Sequence, residues 1–122
     1  MARITAALAV IALFAVFPSM EATQYVVGDD RGWSSNVDYY SWIADKTFHV
    51  GDSLVFIYPT MSRHNVLVAA NSDAYDNCDA APNYGIWTSG SDVFTLPTTG
   101  TYYFTCEYDC DFGQKIKVEV NS

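Results

Sequence analysis

Basic side chains are scarce in this chain. Its 122 residues hold six Lys and Arg against fourteen Asp and Glu, for a formal net charge of −8 and a pI near 4.3. Binding to nucleic acid rests on clustered cations facing phosphates, so a nucleic-acid partner is excluded, and anionic membrane surfaces are disfavoured for the same reason. Histidine occurs only at positions 49 and 64, which rules out an HExxH zinc helix. No phosphate-binding glycine loop and no Ser/His/Asp order of a hydrolase occurs, and enzyme chemistry has no support. Asn-x-Ser/Thr is absent, so N-glycosylation is not expected. There is no internal repeat, low-complexity tract or interdomain linker. A long apolar run is missing too: the longest, Ala6 to Phe17, has 12 residues, whereas a membrane-spanning helix needs about 20.

That short run has another meaning. MARITAALAVIALFAVFPSMEA places Arg3 before the apolar stretch and small or polar residues after it, the pattern of a secretory signal peptide over residues 1–22 with cleavage near Ala22. Residues 23–122 then suit one domain, since domains commonly hold about 100–150 residues. The chain closes on KIKVEVNS, without the spacer and hydrophobic tail of a lipid anchor. The expectation is a secreted monomer with no membrane anchor, located in the extracellular space. Three cysteines, at 78, 106 and 110, then become informative. An oxidising compartment pairs thiols, and an odd count leaves one that needs a reason.

The segments QYVVG, KTFHVG, DSLVFIYP, HNVLVAA, DVFTLP, TYYFTC and QKIKVEV are short, rich in β-branched and aromatic residues, and punctuated by Gly, Pro, Asn and Asp. They predict an all-β fold, an antiparallel sandwich or barrel. In KIKVEV, Ile116, Val118 and Val120 alternate with Lys115, Lys117 and Glu119, as in a strand with one wet face. Asp38 before Tyr39, Trp42 and Ile43 predicts an N-capped short helix over one end of the sandwich. Residues 71–90 read as loop, with a further helical turn at DAYDNC.

His64 stands where a loop enters a strand, Cys106 ends TYYFTC, and Gln114 opens QKIKVEV. An imidazole, a thiolate and a weak axial donor at neighbouring strand ends are ingredients of a blue-copper centre, which ordinarily has two His and one Cys in a plane. The stretches YVVGDDRGW, YYSWIADKTFHVGDSLVFIY, HNV, AYDNC, GTYYFTC and CDFGQ occur in this order. Together they make Gln24 to Val120 resemble the phytocyanins, plant members of the cupredoxin fold. The resemblance implies a Greek-key β-sandwich with one or two short helices. It makes His64 the first copper ligand, Cys106 the thiolate ligand and Gln114 the axial ligand, as in stellacyanin-like members. It also implies a Cys78–Cys110 disulfide, leaving Cys106 unpaired.

The chain departs from the pattern at the second histidine. Copper-binding members carry it immediately before the second cysteine, at the end of a longer loop; here Asp109 takes that slot and only Glu107 and Tyr108 precede it. Asp109 is the candidate replacement ligand. In so short a loop, its aim toward the same ion as Cys106 competes with the reach of Cys110 to Cys78. A carboxylate is harder than imidazole and biases copper toward Cu(II), and Asp76, Asp79, Glu107 and Asp111, if they gather round it, lower the potential further. His49 reads as an exposed strand residue. Other readings of Cys106 are a buried core thiol, a partner for Cys110 with Cys78 free, or a redox sensor, which the nearby carboxylates disfavour. Trp33, Trp42 and Trp87 read as packing residues before they read as a carbohydrate platform.

The functional expectation is one-electron transfer through one copper ion, with a redox protein or small molecule, cationic by charge complementarity, as partner. The alternative is a copper-free, early-nodulin-like extracellular module of the apoplast that binds cell-wall glycan or protein.

Overall fold

The structure is a computed structural model and describes residues 21–122. All but the last two residues of the expected leader lie outside the described residues. Eight strands form two sheets: β1 (Gln24–Val26), β2 (Phe48–His49), β3 (Ser53–Ile57), β4 (Val66–Ala69), β5 (Asn83–Trp87), β6 (Ser91–Thr95), β7 (Gly100–Thr105) and β8 (Lys115–Asn121). The smaller sheet runs β1-β3-β6 and the larger β2-β8-β7-β4-β5. No helix among the described residues is long and apolar enough to cross a membrane.

Strand faces follow the side-chain period of two. Ile116, Val118 and Val120 of β8 are buried while Lys117 and Glu119 are exposed, and Leu54 and Phe56 of β3 face them across the sandwich within one core. Aromatic rings link the sheets: Trp33 meets Phe56 edge-on at 4.8 Å, and Phe104 lies 5.2 Å from both Phe56 and Phe94. Such pairs add to the gain from simple area burial.

Helix α1 (Tyr39–Ala44) is capped as its sequence predicts. Asp38 accepts from the Ser41 amide and hydroxyl, and these hydrogen bonds, the hydroxyl's first, hold its carboxyl below the usual range. Helix α2 (Ser72–Asp76) forms at the expected second turn, with the Asn71 side chain accepting from Ala74 N.

Two expectations need correction. The sheets are not wholly antiparallel: β1 runs parallel to β3, and β2 parallel to β8. The segment expected to be loop between 71 and 90 also contains β5, paired antiparallel with β4. β5 is an edge strand with a register shift opposite Val68 and Ala69, Gly85 at its centre, and Tyr84, Ile86 and Trp87 all exposed. It has no alternation to betray it.

Candidate metal centre

Strand register brings the candidate ligands to one end of the larger sheet. In the antiparallel pair β4–β7, Leu67 lies opposite Thr105, and in β7–β8, Thr105 lies opposite Lys115. One step past each pair stand the entry to β4, the exit of β7 and the entry to β8. Cys106 N donates to Gln114 O at 2.9 Å, continuing the ladder. Asn65 and Glu107 are clasped as well: Glu107 N donates to Asn65 Oδ1, Asn65 Nδ2 to Glu107 Oε1, and the Trp33 indole to Asn65 O.

The connecting loop is wound tightly. Cys110 N donates to Cys106 O at 3.0 Å, a single helical turn, and residues three apart on such a turn share a face. Cys106 and Asp109 are so related. A 3-10 turn follows at Cys110–Phe112, and Gly113, at φ 91°, ends it in the left-handed region that suits glycine. Cys110 is bonded to Cys78, with Cα atoms 5.6 Å apart, within the normal span of a disulfide. Cys106 is the free, buried thiol. The expected competition within the short loop does not arise, because the turn sends Cys106 and Asp109 one way and Cys110 the other.

His64 Nδ1 lies 3.8 Å from Cys106 Sγ and 3.3 Å from Asp109 Oδ2, and the three donor atoms all lie within 4.8 Å of one another. Cys106 and Asp109 are buried, and His64 shows 17% of its side chain to solvent. Asp109 Oδ1 accepts from Arg63 Nη2 at 2.5 Å. Gln114 is fully buried, and neither of its amide atoms has a hydrogen-bond partner.

The profile of the plastocyanin-like domain matches residues 33–114, a span that contains this whole cluster. The chain belongs to the phytocyanin family. It is 46% identical over 86 residues to a blue copper protein of Petunia hybrida, covering 70% of this chain and 32% of that protein. To stellacyanin of Toxicodendron vernicifluum it is 36% identical over 105 residues, covering 80% and 96% respectively. The solved structure of cucumber stellacyanin with Cu2+ at pH 7.0 superposes with a TM-score of 0.74 at 34% identity, covering 84% of this chain and 98% of that one. The fold is therefore the cupredoxin fold. The chain spans about a third to a half of the length of several plant relatives it matches, 32% to 53%.

The donor set of this phytocyanin fits a metal ion. Three donors at about 2.0–2.3 Å from one ion stand roughly 3.5–4 Å apart in a trigonal plane, close to the spacings of His64 with Cys106 and Asp109. Thiolate and imidazole favour copper or zinc over hard cations. The orphaned Gln114 amide, hydrogen-bonded through its backbone to Cys106, is the kind of buried polar group that demands a partner.

Asp109 alone of the five carboxylates joins the donor cluster, while Asp76, Asp79, Glu107 and Asp111 are exposed. A cation, Arg63, answers Asp109. Sequence reasoning missed Arg63 and Asn65; the available signal was that both flank His64 and that Arg63 is a rare base in an acidic chain. His49 is half-exposed beside Asp52, outside the cluster. Trp33 is core, Trp42 is partly buried beneath Lys46, and Trp87 is 40% exposed.

Proposed function

We propose that this phytocyanin is a secreted one-electron carrier that holds copper through His64 Nδ1, Cys106 Sγ and Asp109 Oδ2, with Gln114 as the weak fourth donor. The observation that carries the reading is the convergence of three donor atoms within 4.8 Å at the end of the sandwich. Bound copper supplies a Cu(I)/Cu(II) couple. The chain supplies the rest: Cys106 offers a soft thiolate from inside the core, His64 gives the centre its edge toward solvent, and burial of Asp109 and Gln114 excludes water. Donors fixed by strand register and a hydrogen-bonded loop need little rearrangement between the two oxidation states. The acidic surface favours cationic redox partners, with which opposite charge speeds encounter. Membership of a family that includes blue copper proteins and stellacyanin supports the role of a carrier rather than an enzyme, and the expected leader favours the apoplast.

A second reading has one observation in its favour. A groove of about 460 Å³ is lined by Tyr84, Trp87, Phe94, Thr101 and Tyr102 without a charged side chain, and it suits a neutral glycan. Titration of the mature chain with Cu(II), followed by visible absorption and electron paramagnetic resonance, separates the two. Stoichiometric copper with an intense thiolate charge-transfer band, lost in Cys106→Ser, is the expected result. Absence of specific copper in the unaltered protein would overturn the carrier reading and direct attention to the groove.

A further inference from the structure

We propose that Arg63 sets the charge of the metal centre, so that Asp109 serves as a ligand of nearly neutral type and Cu(I) remains accessible. The inference rests on the copper reading above. The two oxygens of Asp109 are divided between two tasks: Oδ1 is held by Arg63 Nη2, and Oδ2 faces His64 Nδ1 at 3.3 Å. The carboxylate side chain is 6% exposed whereas that of Arg63 is 65% exposed. The cation therefore approaches a buried anion from the solvent side without being desolvated itself, and the Tyr108 ring lies 6.0 Å from its guanidinium carbon.

The charge count follows from the residues. A Cys thiolate and an Asp carboxylate contribute two negative charges, and Arg63 returns one. The sum equals that of the two-histidine, one-thiolate set of ordinary blue-copper centres. With Arg63 in place Cu(I) brings the centre to neutrality; without it Cu(II) does. A nearby positive charge disfavours the more highly charged ion, so Arg63 raises the affinity for Cu(I) relative to Cu(II). No other side chain among the described residues forms an ion pair with Asp109 apart from His64; Lys46 and Lys115 are bonded to Trp42 O and Tyr75 O. Because Arg63 precedes His64, one loop delivers both the imidazole and the counter-charge. Holding Oδ1 also leaves a single oxygen to face the ion, and Arg63 is in this sense a positioning residue as well.

The test compares Cu(I) and Cu(II) affinities of the mature protein, each by competition with a chelator selective for that state, in the unaltered chain and in Arg63→Gln, Arg63→Lys and Asp109→Asn. Arg63→Gln is expected to lower the Cu(I):Cu(II) affinity ratio by roughly tenfold, about 59 mV in a one-electron couple. Arg63→Lys, which keeps the charge, restores most of the ratio. Asp109→Asn moves it in the opposite direction, and carries the test by itself should Arg63→Gln not fold. A ratio unchanged in Arg63→Gln, a parallel loss of both affinities, or a lysine variant no better than glutamine would each overturn the proposal. If the unaltered protein binds neither ion through Cys106, the underlying copper reading has failed, and the inference with it; an unaltered protein that binds normally beside an indifferent Arg63→Gln refutes the inference alone.

Discussion

Gln114 shows how much of a site a single residue can disclose, and where sequence stops. Its place after Cys-x-x-Gly marks it as an axial ligand by resemblance, and the structure adds that both amide atoms are buried and unpartnered. An unmade hydrogen bond on a buried group costs about 1–3 kcal/mol. Replacement by leucine, similar in size and free of polar atoms, is therefore expected to stabilise the copper-free protein by about 1–2 kcal/mol in urea unfolding while weakening Cu(II) binding. A destabilised copper-free Gln114→Leu would mean that the amide is well hydrogen-bonded and not held in reserve for a metal. Arg63 marks the opposite limit of legibility. Its partner lies 46 positions away, and only the fold tells an arginine beside His64 from one that merely solubilises a loop.

Elements were legible in proportion to how unequal their two faces are. β8 and β3 alternate clearly because one face is core, and α1 announces its start through Asp38. β5 has one neighbour, a register shift and exposed apolar side chains, so neither periodicity nor burial marked it. The parallel edge strands β1 and β2, of three and two residues, are too short for any pattern to fix their direction. What ties β4 to β7 at the metal end is Asn65, whose side chain both accepts from and donates to Glu107 while its carbonyl receives the Trp33 indole. Truncation in Asn65→Ala keeps the carbonyl but strands the Glu107 amide. The expected cost is about 1–2 kcal/mol, read as a lower denaturant midpoint at unchanged m-value, together with weaker Cu(II) binding as the ends carrying His64 and Cys106 loosen. Full metal affinity in a destabilised variant would confine Asn65 to the scaffold.

At the scale of the whole molecule, the alkaline limit to expect of the fold comes from tyrosine hydroxyls buried in, or packed against, its core. Tyr39 donates to Gly32 O and accepts from Ser34 N, and Tyr58 donates to Asp92 Oδ2, with Trp87 O a second acceptor 3.2 Å from the same hydroxyl. Burial, above all else, pushes Tyr39, Tyr58 and Tyr75 up to about 12, against about 10 for an unfolded tyrosine. A group whose pKa is higher in the folded state contributes its full stability below the unfolded value and loses it as pH rises through the folded one. The denaturant midpoint is therefore expected to hold up to about pH 10 and to fall steeply between about 10 and 12. Lysines lose their charge over the same range, so the self-repulsion of the acidic surface grows as the tyrosines ionise. Tyrosinate absorbance of the buried rings should appear with unfolding rather than before it. Tyr75→Phe keeps the ring, removes one titrating group and is expected to make the decline shallower. Ionisation of all nine tyrosines near pH 10 in a protein still folded would show instead that water reaches these hydroxyls and that the alkaline limit of the fold lies elsewhere.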